Sequence, residues 1–329
     1  MVEIKLEYIK IGDVKIEKTA ALAPMASVAD TALRLICKEF GAAVVYSEMV
    51  SVKGICYNKE RSEGLLKIKD EERPFAIQIF GDDPKFFEMA MPTVLENKPD
   101  LIDINMGCPV TKVVRNNSGS ALMKNSELAE KIAKTVVLNS PVPVTVKIRK
   151  GFYENDSNAV SFAKMLQDCG VSAICVHGRT KEQLFRGKSD WDIVKKVKEN
   201  VSIPVILSGD VTSLELLEKA YKTTNVDLVM IGRQAAKKPW IFKQIKEFKE
   251  TGKILKEPTE KEILEIMLKH IKKLFELEGE VVGARKARSA AIRYFGGFKN
   301  AAKIRNKCSF ISSFDDVLEL ASFVRELIY

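Results

Sequence analysis

The chain has 329 residues, of which 46% are hydrophobic and 29% are charged, and its formal net charge is +9. This mixture is typical of a globular protein and excludes a disordered chain, and no apolar run approaches the ~20 residues of a transmembrane helix. We therefore expect a soluble cytoplasmic protein without a membrane partner. The length exceeds the size at which one hydrophobic core usually stops growing, so we expect a large domain and a smaller one.

The six cysteines are scattered and contain no C-x-x-C pair: Cys37, Cys56, Cys108, Cys169, Cys175 and Cys308. Their spacing matches neither a metal cluster nor a disulfide framework. We expect free thiols, as in a reducing cytoplasm, and no bound metal. The sequence carries no signal for a particular oligomeric state.

Short runs of β-branched residues recur in the first part of the chain, and each precedes a segment of helical period. Eight runs are predicted as strands, at 19–24, 42–48, 74–80, 101–105, 143–149, 171–177, 203–208 and 226–231. Eight strands that alternate with helices are typical of a (β/α)8 barrel. A doubly wound open sheet is disfavoured because no G-x-G-x-x-G follows the first strand.

Strand-like runs stop near residue 250, and the remainder of the chain has the pattern of helices. Thr259 with Glu262 forms a capping-box signal at the start of the first of these helices. The predicted fold class is therefore α/β, with a (β/α)8 TIM barrel over 1–248 and a small all-helical domain over 249–329. His270 lies in the first of these helices, and we expect it on the helix surface.

Unexpected polar residues lie at the C-terminal ends of four predicted strands, where barrel enzymes place their catalytic groups. They are Gln78, Asn105, Lys147 and His177, and Arg149 follows Lys147 on the same strand face. A lysine on an inward strand face costs several kcal/mol unless a polar or anionic group meets it. These residues could satisfy one another, but four of them at strand ends favour a ligand site.

Two glycine-containing loops follow the seventh and eighth predicted strands, and these loops form the common phosphate site of such barrels. Gly209 and Gly232 allow a ligand to approach the backbone closely, and Arg233 can add a charge-assisted hydrogen bond. Together they predict a phosphorylated cofactor. The end of the first strand, A-P-M-A at 23–26, forms a stiff apolar surface that suits a flat ring system.

Cys108 lies in the stretch N-M-G-C-P, on the loop after the fourth predicted strand, and three roles are open to it. A free cysteine is often a buried structural residue, and a nucleophilic one would need a base, for which the chain offers two histidines. An unperturbed thiol, with a pKa near ~8.5, is protonated at neutral pH and can act as a general acid. The position beside Asn105, with the backbone restricted by Pro109, favours the general acid.

The positive charge is concentrated in a basic segment, residues 285–307. It carries eight Lys or Arg and no Asp or Glu: Arg285, Lys286, Arg288, Arg293, Lys299, Lys303, Arg305 and Lys307. This pattern is typical of a surface that binds a phosphate backbone, so a nucleic acid is an expected partner. The alternative is an ordinary solvated surface, but such a surface usually carries acids as well.

The stretch N-M-G-C-P-V-T-K-V from Asn105, with A-L-M at 121–123, resembles the signature of the tRNA dihydrouridine synthases. The similarity continues in A-P-M-A-S-V-A-D at 23–30, Q-I-F-G at 78–81, V-K-I-R at 146–149, H-G-R-T at 177–180, S-G-D at 208–210 and I-G-R at 231–233. The resemblance implies a flavin-binding (β/α)8 barrel followed by a helical RNA-binding domain.

The resemblance also implies FMN as the bound cofactor, NADPH as the transient reductant and tRNA as the partner. The cofactor-binding residues that it implies are Pro24, Met25, Ala26, Gln78, Lys147, His177, Gly209, Asp210, Gly232 and Arg233. Cys108 would be the general acid, and Asn105 and Arg149 would hold the target base. Arg285, Lys286 and Arg288 of the basic segment would bind tRNA.

The reaction implied is the NADPH-dependent reduction of the C5–C6 bond of specific tRNA uridines through FMN. One alternative is a flavin-dependent dehydrogenase of free dihydroorotate or dihydropyrimidine, which shares the barrel but gives no reason for the basic segment. Another is an RNA-binding module with a vestigial barrel, which would carry no flavin. Near the barrel mouth the chain has L-F-R-G-K-S-D-W, whereas Y-S-G-x-A-D-W is commoner in the family.

Overall fold

The computed structural model describes residues 6–328 of the chain. A hairpin comes first, formed by β1 (Tyr8–Ile11) and β2 (Val14–Glu17). The sequence did not predict this hairpin. Its buried residues Ile11 and Ile16 pack with small residues of the barrel interior, such as Ala173, and so extend the inner core beyond the strands.

The main sheet is parallel and has eight principal strands. They are β3 (Ala21–Leu22), β4 (Val45–Tyr46), β6 (Phe75–Phe80), β7 (Leu101–Met106), β8 (Val144–Arg149), β9 (Ala173–His177), β10 (Val205–Ser208) and β11 (Leu228–Ile231), with the short β5 (Val50–Ser51) paired to β6. The sheet order is β3-β11-β10-β9-β8-β7-β6-β4. Leu22 N donates to Val44 O at 3.0 Å and Ala43 N to Ala20 O at 2.9 Å, so the two end strands meet and the predicted (β/α)8 barrel is confirmed.

Ten helices lie along this part of the chain. They are α1 (Thr31–Glu39), α2 (Val52–Tyr57), α3 (Lys59–Leu66), α4 (Pro84–Glu96), α5 (Thr111–Arg115), α6 (Ser126–Leu138), α7 (Ala159–Asp168), α8 (Trp191–Asn200), α9 (Leu214–Thr224) and α10 (Ile241–Thr251). Six begin at a side chain that accepts a hydrogen bond from a backbone N–H of the first turn: Asp30, Ser51, Asp83, Asn125, Asp190 and Ser213. Such caps satisfy donors that the helix itself leaves free, so they fix where each helix starts.

Strand β8 illustrates how the sequence pattern places side chains on the two faces of the barrel wall. Val144, Val146 and Ile148 are buried in the main hydrophobic core beneath the helices. The alternate residues therefore face inward, because successive side chains of a strand point to opposite sides. Lys147 and Arg149 reach the barrel mouth from this inner face.

Three helices form the C-terminal region: α11 (Glu260–Tyr294), α12 (Ala301–Cys308) and α13 (Phe314–Ile328). The capping box of Thr259 and Glu262 is present, and α11 is interrupted at Gly279, whose φ of 73° is left-handed. The predicted helical C-terminal region is confirmed. These helices enclose a second core that includes Ala32 and Trp240 of the preceding part of the chain.

The predicted division into domains at 248/249 falls within the last turn of α10, and it stays a prediction. Residues 1–5 and 329 of the two predicted domains lie outside the described residues. Within 6–328, we find no helix with both the length and the apolar character needed to cross a membrane.

His270 is buried, with 2% of its surface exposed, so the expectation of a surface position was wrong. It shares a helix face with the buried residues Met267, Ile271 and Leu274, a spacing that places all four against the second core. His270 Nδ1 lies 2.9 Å from Tyr294 Oη. Its Nε2 is buried without a hydrogen-bond partner among the described residues.

We predict that His270 makes the fold sensitive to acid. Burial lowers the pKa of His270 from 6.5 to about 4. Between these two pH values His270 is therefore protonated in the unfolded chain but neutral in the folded chain. Wild-type stability should therefore fall as the pH drops through this window, by roughly 3 kcal/mol from this group alone. His270→Gln, which does not titrate, should lack this loss.

Urea unfolding of both proteins at pH 7 and pH 4.5 measures the effect as the change in their stability difference. Because every other titrating group is common to the two chains, its contribution cancels in that difference. Stability curves that run parallel over the whole window would contradict the prediction.

Candidate active site

A cavity of about 400 Å³ opens at the C-terminal ends of the barrel strands. Its volume lies within the ~300–1,000 Å³ that is usual for cofactor and ligand sites. The cavity is lined by every barrel residue that the sequence singled out for a role: Pro24, Met25, Ala26, Gln78, Asn105, Cys108, Lys147, Arg149, His177, Gly209, Asp210, Gly232 and Arg233. Their roles stay predictions, but the structure does bring them together.

The register of the parallel strands explains this convergence. Asn105 is opposite Lys147 across β7 and β8, and Arg149 is opposite His177 across β8 and β9. Gln78 is one strand further along, opposite Asp103. Since the carboxyl ends of parallel strands meet at one rim, polar residues at corresponding positions become neighbours in space.

A chain of side-chain hydrogen bonds crosses the polar wall of the cavity. Gln78 Nε2 donates to Asp103 Oδ2 at 2.6 Å, and Asn105 Nδ2 donates to Gln78 Oε1 at 2.8 Å. Asn105 Oδ1 then accepts from the backbone nitrogens of Gly107, at 3.1 Å, and Cys108, at 2.8 Å. The amides of Gln78 and Asn105 thus fix the start of the cysteine loop. Gln78 Nε2 retains a second N–H, whereas Asn105 Nδ2 also donates to Met49 Sδ, a weak acceptor, at 3.8 Å.

The backbone on both sides of the Cys108 thiol is held by further contacts. Arg149 Nε donates to Gly107 O at 2.7 Å, and Ser120 N donates to Cys108 O at 3.0 Å. Gly119 has a φ of 60°, and a Cβ at this position would stand 2.9 Å from Cys108 O. This turn therefore requires glycine, because a side chain would both strain the backbone and collide with the cysteine loop.

Burial raises the pKa of the Cys108 thiol, and the opposing effects of the Val110 backbone N–H and of Arg149 are smaller. The thiol is accordingly protonated at neutral pH. It lines the cavity and is only partly exposed. This is the state that proton donation requires, and it disfavours a nucleophile, which would need a lowered pKa.

Arg149 is 3% exposed and ties together two loops, the one after β7 and the one after β9. Besides the bond to Gly107, its Nη1 donates to Thr180 O at 2.8 Å and to Leu184 O at 3.2 Å. Burial lowers the pKa of Arg149 to about 10, which leaves it charged at neutral pH. The structure thus uses much of the Arg149 guanidinium for loop carbonyls, although the residue still lines the cavity.

Positive charge is in excess around the cavity. Lys147 Nζ donates to Ser208 Oγ at 3.3 Å and forms no ion pair with any described residue. Arg233 is exposed, lies over the ring of Phe185 and stands 3.9 Å from Asp210. Burial, followed by four cations that include Lys147 and Arg233, lowers the pKa of His177 well below its ordinary value, so its ring is neutral. An anionic ligand fits this environment.

Asp210 is held by Arg179, a residue of the H-G-R-T motif for which the sequence predicts no role. Arg179 is buried and binds both carboxylate oxygens of Asp210 at 2.8 Å, while Ser189 N donates to Asp210 Oδ2 at 2.7 Å. These contacts keep the pKa of Asp210 below its ordinary value despite its partial burial. Asp210 therefore anchors the loop after β10 at a left-handed φ of 59°.

The same loop is supported by Trp191, whose Nε1 donates to Gly209 O at 3.0 Å. Gly209 has a φ of 122°, and a Cβ there would stand 2.4 Å from Ser189 Oγ, so glycine is required. Gly232 differs, because a Cβ would meet only Ala23 and Met25 at ordinary contact distances of 3.5 and 3.6 Å. The internal packing therefore does not explain Gly232, whereas the approach of a ligand would.

The three predicted tRNA-binding residues lie on α11, outside the cavity lining. Lys286 pairs with Glu278 at 2.7 Å, and Arg288 Nε donates to Ile311 O at 2.7 Å. Arg285 is exposed and, like Lys303 and Arg305 on α12, forms no ion pair with a described residue. The basic segment therefore divides into cations with a structural partner and cations that are open to solvent.

A larger groove, of about 630 Å³, lies between the end of α1 and helices α10 and α11. Lys246 pairs there with Glu17, and Lys269 with Glu39. We do not regard it as the functional site because its charges are largely compensated. Over residues 6–328, no three His, Cys, Asp or Glu side chains are grouped so that they could hold a metal ion.

Two solved structures resemble the fold. Histamine dehydrogenase from Rhizobium sp. 4-9 matches 82% of this chain and 51% of its own, with a TM-score of 0.58 and 13% sequence identity. The structure of TcOYE with pHBA matches 77% of this chain and 94% of its own, with a TM-score of 0.56 and 13% identity. At such low identity the similarity establishes the barrel fold alone.

Sequence comparisons are more specific. The tRNA-dihydrouridine synthase B of Shewanella oneidensis is 40% identical over 85% of this chain and 87% of its own length. That of Vibrio parahaemolyticus is 38% identical over 90% of this chain and 92% of its own. The family model for dihydrouridine synthase matches residues 21–327, so the barrel strands, the cavity and the C-terminal helices are covered. The chain belongs to the dihydrouridine synthase family.

Proposed function

We propose that this protein reduces the C5–C6 bond of uridines in tRNA, with FMN as the bound cofactor and NADPH as the reductant. The observation that carries the proposal is a protonated thiol, Cys108, fixed at the wall of a cavity with excess positive charge. The relatives named tRNA-dihydrouridine synthase B support the choice of substrate.

The residues present fit FMN. Lys147 lacks an anionic partner among the described residues, and the exposed Arg233 with Gly232 offers a place for a phosphate. The groups that would hold FMN are Pro24, Met25, Ala26, Gln78, Lys147, His177, Gly209, Gly232 and Arg233, with Asp210 anchoring the phosphate loop through Arg179. When bound, FMN would accept a hydride from NADPH and deliver it to C6 of the uridine.

Cys108 would donate the proton that C5 requires. Its raised pKa keeps the proton on sulfur until the base is in place, and the hydrogen bonds of Asn105 and Arg149 to its loop hold the sulfur in one position. The target uridine must leave its stack to reach the cavity. The second N–H of Asn105, which has only the weak acceptor Met49 Sδ at 3.8 Å, would bind the base once it arrives.

The C-terminal helices would bind the tRNA backbone through the basic segment. Arg285, Lys299, Lys303 and Arg305 are exposed there and form no ion pair with a described residue, whereas Lys286 and Arg288 also hold Glu278 and Ile311 in place. A dehydrogenase of free pyrimidines would need no such surface, which favours tRNA over this alternative.

We predict that Cys108→Ala removes the proton donor without removing the cofactor. The variant should stay yellow and oxidise NADPH at the wild-type rate with oxygen as acceptor, while tRNA reduction falls at least ~100-fold. Mass spectrometry of nucleosides from unmodified tRNA would measure the reduction as a gain of two hydrogens. Cys56→Ala, at the other partly exposed cysteine, is the matched control because Cys56 does not line the cavity.

Wild-type tRNA turnover in Cys108→Ala would contradict the assignment of the general acid. If yellow wild-type protein oxidises NADPH but leaves tRNA unchanged, the proposal that tRNA is the substrate is wrong. In that case, reduction of free uracil by the same preparation would support the alternative.

We predict that reversing the charge of two solvent-exposed cations of the basic segment weakens tRNA binding without affecting the reaction with NADPH. The double variant Lys303→Glu and Arg305→Glu should raise the KM for tRNA ~10-fold or more near 0.1 M salt and reduce its salt dependence, because fewer phosphates are contacted. NADPH oxidation should be unchanged.

The matched control carries Lys164→Glu and Lys222→Glu, which change the net charge equally on the exposed faces of α7 and α9. Equal losses of tRNA affinity in both double variants would indicate a general effect of charge and argue against a defined surface.

A further inference from the structure

Asp103 lies beneath the candidate site and has no role in it so far. It is fully buried on β7 and does not line the cavity. Gln78 Nε2 donates to its Oδ2 at 2.6 Å, and Thr145 Oγ1 donates to its Oδ1 at 2.5 Å. A buried carboxyl group is costly, so its presence under a barrel mouth requires an explanation beyond packing.

The donor–acceptor direction of the hydrogen bonds around Asp103 provides this explanation. An ionised carboxylate can only accept hydrogen bonds, so Gln78 must present its NH2 group to Asp103 and its Oε1 to Asn105. Asn105 must then present Nδ2 to Gln78, which leaves its Oδ1 to accept from Gly107 and Cys108. One acceptor-only group thus determines the orientation of two amides and the capping of two backbone N–H groups.

We propose that Asp103 is a positioning residue for Cys108, acting through Gln78 and Asn105. Without an acceptor at position 103, the Gln78 amide can rotate and present its nitrogen to Asn105. Asn105 would then turn its own oxygen toward Gln78, and the backbone nitrogens of Gly107 and Cys108 would lose their acceptor. The cysteine loop would become mobile while the cavity kept its lining.

The charge state of Asp103 is consistent with this role. Burial raises the pKa of Asp103 to about 6, and the hydrogen bonds from Gln78 and Thr145 together with the charge of Lys147 oppose a larger rise. At neutral pH the group is therefore mainly the carboxylate, the form that accepts from both neighbours.

Amide hydrogen exchange of Gly107 and Cys108 in the purified protein without tRNA tests the proposal directly. Asp103→Leu, which has a similar volume and no acceptor, should raise the exchange rate of these two amides at least ~10-fold. Asp103→Asn should restore slow exchange, because its oxygen can face Gln78 while its NH2 group faces the Thr145 hydroxyl.

Thr145→Val is the matched control, since it removes the other partner of Asp103 but leaves the bond to Gln78. It should leave exchange at Gly107 and Cys108 as slow as in the wild type. Exchange that is unchanged in a folded Asp103→Leu protein, or raised equally in Thr145→Val, would overturn the proposal. If Asp103→Leu does not fold, Asp103→Ala takes its place with the same two outcomes.

The consequence for catalysis rests on the proposed function. Asp103→Leu should lower the kcat for tRNA reduction ~10-fold more than it lowers the rate of NADPH oxidation, since the general acid is displaced while any effect of the rotated Gln78 amide on FMN is common to both rates. Failure of the proposal for Asp103 and failure of the proposed function give different results. Faster exchange with normal tRNA turnover would leave Asp103 as the anchor of the loop and refute the acid role of Cys108, whereas unchanged exchange refutes the anchor itself.

Discussion

The site depends on one constraint, that a polar group buried inside the barrel must find a hydrogen-bond partner there. Asp103 and Gln78 face the inside of the barrel, where water is scarce, and each is satisfied by the next residue along the wall. The last partner is the backbone around Cys108 rather than solvent. Satisfying the interior thus also orders the loop that carries the Cys108 thiol, because a partly satisfied network would be less stable than an apolar core.

The charged groups of the site fall into two sets: some form ion pairs with each other, and others lack a comparable partner among the described residues. Arg179 and Asp210 neutralise each other and shape the loop after β10. Lys147 and Arg233 have no comparable partner among the described residues, so their positive charge is directed into the cavity. Leaving these cations without an ion pair costs free energy, which the anionic cofactor of the proposed function would offset on binding.

The sequence predicted the barrel and the cavity lining because both follow from periodicity. Alternation in β8 placed Lys147 and Arg149 on the inner face, and parallel strands bring such residues to one rim. The sequence did not predict the contacts between these side chains. Arg179 lay in the H-G-R-T motif without an assigned role, and no prediction was made for Asp103. Those contacts depend on rotamers and on partners far away in the sequence, which a pattern of single residues does not encode.

His270, in the second core, is another residue whose surroundings the sequence pattern did not predict. Its spacing from Met267 and Leu274 placed it on the apolar helix face, yet its polar ring suggested the surface, and packing prevailed. The core that encloses it also contains Ala32 of α1 and Trp240, so the C-terminal helices are packed directly on the barrel rather than joined by a linker alone. A rigid attachment of this kind fits the proposed function, since a nucleic acid held by the basic segment must present one base to a cavity whose thiol is fixed.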